Sequence, residues 1–277
     1  CTVAGNSCAG DGNEGGAIRN NGALTLTHCT LSGNSHPGSN DGIFNEPSRT
    51  IMMAHCILHG NTGGNDIRNY GTLNVTSTSI IGILTNSAAG TSSGTILTSN
   101  PLLAPLGNYG GPTQTIALMP GSSAHNAAVT STITSDQRGF LIVGQRDIGA
   151  YEAGTITNYD NFIWETLPAT ATTPQHASTF DFDGDGQTNG DEWLARTDPG
   201  SASSSFRITQ SAISGASFNV TFPTVSGRSY QLQSSPNLAN PWTNIGSVTP
   251  GTGSNRTLPV TITGLTGYFF RVSVSGP

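Results

Sequence analysis

Residues 181–192 read DFDGDGQTNGDE and carry the chain's most complete ligand pattern. Asp181, Asp183 and Asp185 occupy positions 1, 3 and 5 of a twelve-residue calcium loop. Gly186 sits at position 6, where the chain must turn sharply. Gln187 at position 7 would offer its backbone carbonyl, Asn189 at position 9 would ligate directly or through water, and Glu192 at position 12 would close the shell with both oxygens. The spacing has a physical reason. Alternate residues of a tight loop point inward, a hard cation wants six to eight oxygens, and four carboxylates crowded together repel one another without one. A solvated acidic turn is the plainer alternative, but it does not explain why every ligand position is filled. The expected cofactor is therefore calcium, bound once, as a clip that stiffens a junction.

No other group of residues offers comparable chemistry. The first hundred residues hold Asp11, Glu14, Asp41, Glu46 and Asp66, mostly in loops, and these form no column of carboxylates such as a polysaccharide lyase or glycoside hydrolase needs. Arg19 and Arg68 share a column with Phe44 between them. His28 and His55 stand one repeat apart beside a cysteine column, facing away from it. A metal there is conceivable, but a packed or solvated histidine ladder is the simpler reading. Asp136, Arg138, Arg146, Asp147 and Glu152 form the remaining polar cluster, and structural ion pairing accounts for it. No catalytic residues are assigned, and the chain is read as a non-enzyme.

The elements that carry these residues begin with a repeat. CTVAGNS (1–7) returns as CTLSGNS (29–35) and CILHGNT (56–62). Aligned on this phrase, Ile18, Ile43 and Ile67 form one column, Asn20, Asn45 and Asn69 a second, and Leu24, Ile51 and Leu73 a third. Cys1, Cys29, Cys56 and Thr78 make a fourth, followed by Val3, Leu31, Leu58 and Ile80, then Gly5, Gly33, Gly60 and Gly82, then Asn6, Asn34 and Asn61. A period of 22 to 28 residues with short alternating strands and Gly-Asn corners is a solenoid signature. The expectation is a right-handed parallel β-helix with rungs about 4.8 Å apart and asparagine ladders bonded along its axis. Leu31 and Leu58 face its core and Thr30 faces outward, where a charge would be tolerated. Of the four cysteines, Cys1, Cys29 and Cys56 read as a ladder of small thiols; Cys8 lies in a loop, where a Cys1–Cys8 bridge is a second option.

Prolines 101, 105, 112 and 120 exclude long helices after the repeats. Strand-like pieces at 115–118, 139–143 and 147–151 would continue or cap the solenoid, giving a first domain of 1–153. Residues 154–204 form a linker with a short helix at 158–167 and the calcium loop. Residues 205–277 read as about six alternating strands separated by turn residues, which suggests an immunoglobulin- or fibronectin-like β-sandwich. Trp242, Tyr230 and Tyr268 could form a sugar platform there, although core positions suit such aromatics better.

Composition narrows the partners. Charged residues are 9% of the chain and net charge is −6; all ten basic residues are arginine, without a basic run, which argues against nucleic acid. No stretch is apolar enough to span a membrane.

GGAIRNNGALTLTHCTLSGNS resembles the repeats of bacterial polymorphic outer-membrane proteins. NPLL…LGNYGGPTQTIALMPGSSAHNAA…DQRGF…RDIGAYE resembles the segment after such repeats in the "choice-of-anchor Q" family of bacterial surface proteins. The calcium loop with the following WLARTDP resembles dockerin-like and thrombospondin type-3-like repeats. These resemblances, the first two covering roughly residues 14–153, imply an exported, surface-displayed β-helix and supply no catalytic residues. The functional expectation is a non-catalytic extracellular or cell-surface structural or adhesive protein, stabilised by calcium. A carbohydrate-active β-helix enzyme or a carbohydrate-binding module is the alternative. Because the first residue already stands mid-repeat, the chain reads as part of a longer one. The uncapped edge would otherwise pair with a second copy head to tail, and surface glycans are the other expected partner.

Overall fold

The computed structural model describes residues 1–9, 15–36, 41–142, 144–238, 241–262 and 267–276. Asp11 and Glu14 lie outside these, as does the side chain of Asp41. The chain is mainly β and forms two compact units, 1–169 and 170–277.

The first unit is built on parallel sheets. β1 (Thr2–Ala4), β2 (Ile18–Asn20), β3 (Ala23–Thr27), β4 (Thr30–Ser32), β5 (Asp41–Asn45), β6 (Thr50–Ala54), β7 (Ile57–Leu58), β8 (Asn65–Asn69), β9 (Thr72–Ile81), β10 (Leu84–Asn86) and β11 (Thr91–Leu97) follow one another along the repeats. One sheet runs β10-β8-β5-β2. The other runs β1-β4-β7-β9-β6-β3, with β11 also on β9. Register follows the aligned columns: Ile18 lies opposite Ile43 and Ile43 opposite Ile67, while Leu24, Ile51 and Leu73 pair in turn. These apolar columns converge, with Leu31, Leu58 and Ile81, on one core.

One column is displaced at its last rung. Ile57 pairs with Ile80 and Leu58 with Ile81, so the rung after Cys56 belongs to Ser79, not Thr78, and the rung after Leu58 to Ile81, not Ile80. A register shift between Met53 and Ala54 against β9 inserts the extra residue. Gly82 consequently leaves the glycine column: Gly5, Gly33 and Gly60 turn with φ of 67°, 67° and 73°, and Gly82 does not.

Asparagines bind the rungs. Asn20 donates to Asn45 at 2.7 Å, Asn45 to Asn69 at 2.7 Å, and Asn69 to Asn86 at 2.8 Å. A second ladder runs Asn6 to Asn34 to Asn61, each 2.9 Å, and ends on a carboxylate, Asp66 Oδ1, at 2.8 Å. Asp66 Oδ2 accepts from the Ile83 amide, which satisfies the buried group.

The segment after the repeats contributes β12 (Leu103–Gly107), antiparallel to β13 (Thr115–Leu118). Residues 147–151 form no strand, and 139–142 contribute only a bridge, Ser135 to Leu141. The segment lies along the flank of several repeats. Gln137 accepts from Thr2, Gly149 N donates to His55 O, and Ala150 N donates to Thr30 Oγ1 at 3.0 Å. A second core forms there, where Ile57 and Ile80 meet Tyr109, Ile148 and Tyr151. Thr30 faces away from the repeat core, yet it is only 1% exposed, because the flanking segment covers that strand face; the expected tolerance of a charge there is wrong. α1 (Tyr159–Thr166) packs on β13, capped by Asn158, whose side chain accepts from Asn161 N at 2.9 Å.

The second unit begins with a 3-10 turn (Thr173–His176) and the 181–188 loop, followed by α2 (Asn189–Ala195). Among the described residues six strands follow, β14 (Gln210–Ser214), β15 (Ser217–Phe222), β16 (Ser229–Ser235), β17 (Thr243–Pro250), β18 (Arg256–Thr261) and β19 (Phe269–Ser275). They form two antiparallel sheets, β14-β15-β18 and β17-β16-β19, which share one core of Val220, Phe222, Tyr230, Leu232 and Val260.

Candidate cation site

The loop folds on its own aspartates. Asp181 accepts from Gly184 N through one oxygen (2.8 Å) and from Gly186 N through the other (3.0 Å). Asp183 Oδ1 accepts from Asp185 N at 3.1 Å, and Asp185 Oδ1 from Gln187 N at 2.8 Å. These local bonds are the ones short acidic side chains favour in turns. Gly186 has φ of 94°, a conformation that strains any other residue. Thr188 then caps α2: its hydroxyl accepts from Asp191 N, and Asp191 Oδ2 accepts from Thr188 N and Oγ1.

The carboxylates of Asp181, Asp183 and Asp185 each place one oxygen within 4.8 Å of the others. Glu192 is not in that close set, but it is fully buried, and the charges of Asp183 and Asp185 act on it. Its Oε1 accepts from the Thr197 hydroxyl at 3.1 Å. Asn189, also fully buried, donates its Nδ2 to Gln175 O and Ala177 O.

What remains on these residues is a set of oxygens without donors. Asp183 Oδ2, Asp185 Oδ2, Asn189 Oδ1 and Glu192 Oε2 are buried and accept no hydrogen bond. Each such atom costs about 1–3 kcal/mol unless something satisfies it. All four belong to residues of the ligand pattern. An all-oxygen donor set of this charge fits a hard divalent cation.

The electrostatics agree. Burial, reinforced by Asp183, Asp185 and Asp198, pushes Glu192 up to about 7. Burial also raises Asp183, with Asp185, Asp181 and Asp198 adding to it. Asp198 escaped the sequence reading; the signal was its place in the TDP that follows the helix. It is exposed, and its Oδ1 accepts from Gly200 N at 2.9 Å. Gln187 plays a part the sequence did not disclose: its side chain reaches out of the loop, donating to Phe206 O at 3.2 Å and accepting from Phe206 N at 3.1 Å.

The other candidates resolve into structure. His28 and His55 stack with ring centroids 5.0 Å apart, both buried under the flanking segment. The nitrogens of His28 meet Gly149 O at 3.2 Å and Ser131 Oγ at 2.6 Å. They form a packed pair. Arg138 lies between Tyr151 and Phe140 and pairs with Asp136 at 2.7 Å, while bonding Tyr109 O and Glu152 O. Asp147 accepts from Asn126 N and Ala153 N, and Glu152 from Asp147 N. Arg146 donates to Ile133 O. This cluster is a brace for irregular backbone. Arg19 pairs with Glu46 on the surface. No disulfide joins Cys1, Cys8, Cys29 or Cys56; Cys29 N donates to Cys56 Sγ at 3.4 Å, and these two are buried one rung apart. Tyr230 is core, at 1% exposure, and Trp242 carries the Arg271 guanidinium 4.4 Å over its ring, so the Trp242–Tyr230–Tyr268 platform is not assembled.

No helix among the described residues is long and apolar enough to cross a membrane. Compared with protein-family models, with curated proteins and with solved structures, the chain finds no match.

Proposed function

We propose that the chain is a non-catalytic structural or adhesive protein of the cell exterior or cell surface. In this reading the first unit is a right-handed parallel β-helix, and the second carries one calcium ion beside an immunoglobulin- or fibronectin-like sandwich. The β-helix reading draws on parallel pairing between residues one repeat apart and on the right-handed preference of parallel crossovers. The observation that carries the calcium reading is the set of four buried donor-less oxygens on Asp183, Asp185, Asn189 and Glu192. Calcium coordination by Asp181, Asp183, Asp185, the Gln187 carbonyl, Asn189 and Glu192 would satisfy them. A non-catalytic role draws on the buried carboxylates of the first unit, which are engaged by backbone amides. Partners of such a chain would be further copies of itself, met head to tail, or surface glycans. Melting the chain with and without calcium tests the reading. Calcium should raise the melting temperature of the native chain, and Asp181→Ala should remove that gain. Identical melts for the native chain in both conditions would refute the calcium assignment.

A further inference from the structure

Gln187 fastens the loop at 181–192 to the two-sheet core from within the loop, beside the packing of α2 on β19. Gln187 stands at position 7, where the loop uses the backbone carbonyl, which leaves the side chain free for another task. That side chain forms two hydrogen bonds with the backbone of Phe206, nineteen residues later: Nε2 to Phe206 O at 3.2 Å and Phe206 N to Oε1 at 3.1 Å. A primary amide meeting a backbone N–H and C=O in this way imitates one rung of a sheet.

Phe206 is no peripheral residue. Its ring lies 6.2 Å from Phe222 and 6.0 Å from Tyr230, and those two rings lie 5.5 Å apart. Phe222 and Tyr230 are at most 1% exposed and come from opposite sheets, β15 and β16. Phe206 therefore closes an aromatic cluster that joins the two sheets. Its backbone position is set by Gln187, and the position of Gln187 is set by the loop. Unneutralised, the carboxylates of Asp181, Asp183, Asp185 and Glu192 repel one another. A cation draws them together and holds position 7.

We infer that Gln187 is the positioning residue that transmits cation occupancy of the 181–192 loop to the two-sheet core, through Phe206, so that the loop and the six strands open as one cooperative unit when the ion is bound. This rests on the cation reading above. Removing the side chain leaves the loop's carboxylates and the position-7 carbonyl in place. Binding and transmission therefore separate.

The experiment is hydrogen exchange by mass spectrometry on the full chain, read at the amides of β15 and β16, without calcium and with calcium at 100 times the dissociation constant found by calorimetry. Exchange in the native chain should slow by about 100-fold, the factor by which saturation disfavours the open state. Gln187→Ala, and Gln187→Met as a length-preserving second variant, are compared at 100 times their own dissociation constants, where the slowing at β15 and β16 should drop below roughly tenfold; a variant that takes up no calcium would place the side chain in binding and overturn the inference. Binding heat in the native chain with unchanged exchange at β16 would overturn the inference and leave the cation reading intact. The full slowing retained in both variants would also overturn it. Absence of heat in the native chain would remove the cation reading, and the inference with it.

Discussion

Thr197 donates its hydroxyl to Oε1 of Glu192 at 3.1 Å and leaves Oε2 of the same buried carboxylate with no donor. One oxygen is held by Thr197 and the other is buried without a donor, which is what the proposed ligand role would require. Without a cation it is a liability, because a buried acid stands near three others.

Glu192→Gln should therefore change sign with calcium. In chelator the substitution should raise the melting temperature, because it removes a charge that burial and its neighbours disfavour. In calcium it should lower it relative to the native chain. The pH dependence follows from the same shift. Glu192 is raised from 4.5 to about 7, so the folded state holds a proton that the unfolded state has lost. In chelator, stability should fall as pH rises from 4.5 through 7, and Glu192→Gln should flatten that slope. Melts of both proteins at pH 5 and pH 8 check it; parallel curves would count against this role for Glu192.

His28 should produce the opposite slope. Burial first, then the charge of His55, lowers it from 6.5 to about 4. The folded state stays neutral where the unfolded state takes up a proton. Stability should be complete above pH 6.5, decline as pH falls toward 4, and level off below. The span is roughly 3 kcal/mol. Glu152, raised to about 7, tilts the curve the other way, so the comparison needs a variant. His28→Asn suits the positive φ of 46° at this position and should flatten the acid limb in urea melts between pH 4 and 7.

Thr30→Asp should destabilise the first unit about as badly as Leu31→Asp or Leu58→Asp, by several kcal/mol, roughly the cost of burying an unpaired charge. Thr30→Ser keeps the hydroxyl that accepts from Ala150 N and should cost less than about 1 kcal/mol. Denaturant melts of the four variants separate the cases. A well-tolerated Thr30→Asp would mean that the flanking segment does not cover this face.

Asn45→Ala breaks two rungs, to Asn20 and Asn69, in a buried ladder. It should cost about 2–4 kcal/mol: Asn20 Nδ2 keeps Thr50 O and Asn69 Oδ1 keeps Gly71 N, but each loses a partner, and the carbonyls of Arg49 and Thr72 lose the Asn45 amide. Asn86→Ala, at the exposed end of the same ladder, should cost less than about 1 kcal/mol. Equal costs in urea would show that the ladder is not cooperative in this way.

Much of the first unit was legible because stacked rungs force like residues into columns: Ile18, Ile43 and Ile67 could be aligned by eye and are paired in space. The Ser79 rung was not legible, since a bulge adds one residue without leaving a mark in the repeat. Thr30 was misjudged because alternation tells which side faces one core, not whether the other side meets a second. In the 181–192 loop the spacing of the aspartates is local, and it brings oxygens of Asp181, Asp183 and Asp185 within 4.8 Å of one another. Asp198 and the bonds from Gln187 to Phe206 depend on how the chain returns past the loop, and spacing says nothing of that.

The most direct test of the account is a calorimetric titration of the full chain with calcium, repeated on Asp181→Ala. The account predicts saturable heat with one ion per native chain and none for the variant. A native chain that takes up no calcium at millimolar ion would contradict it.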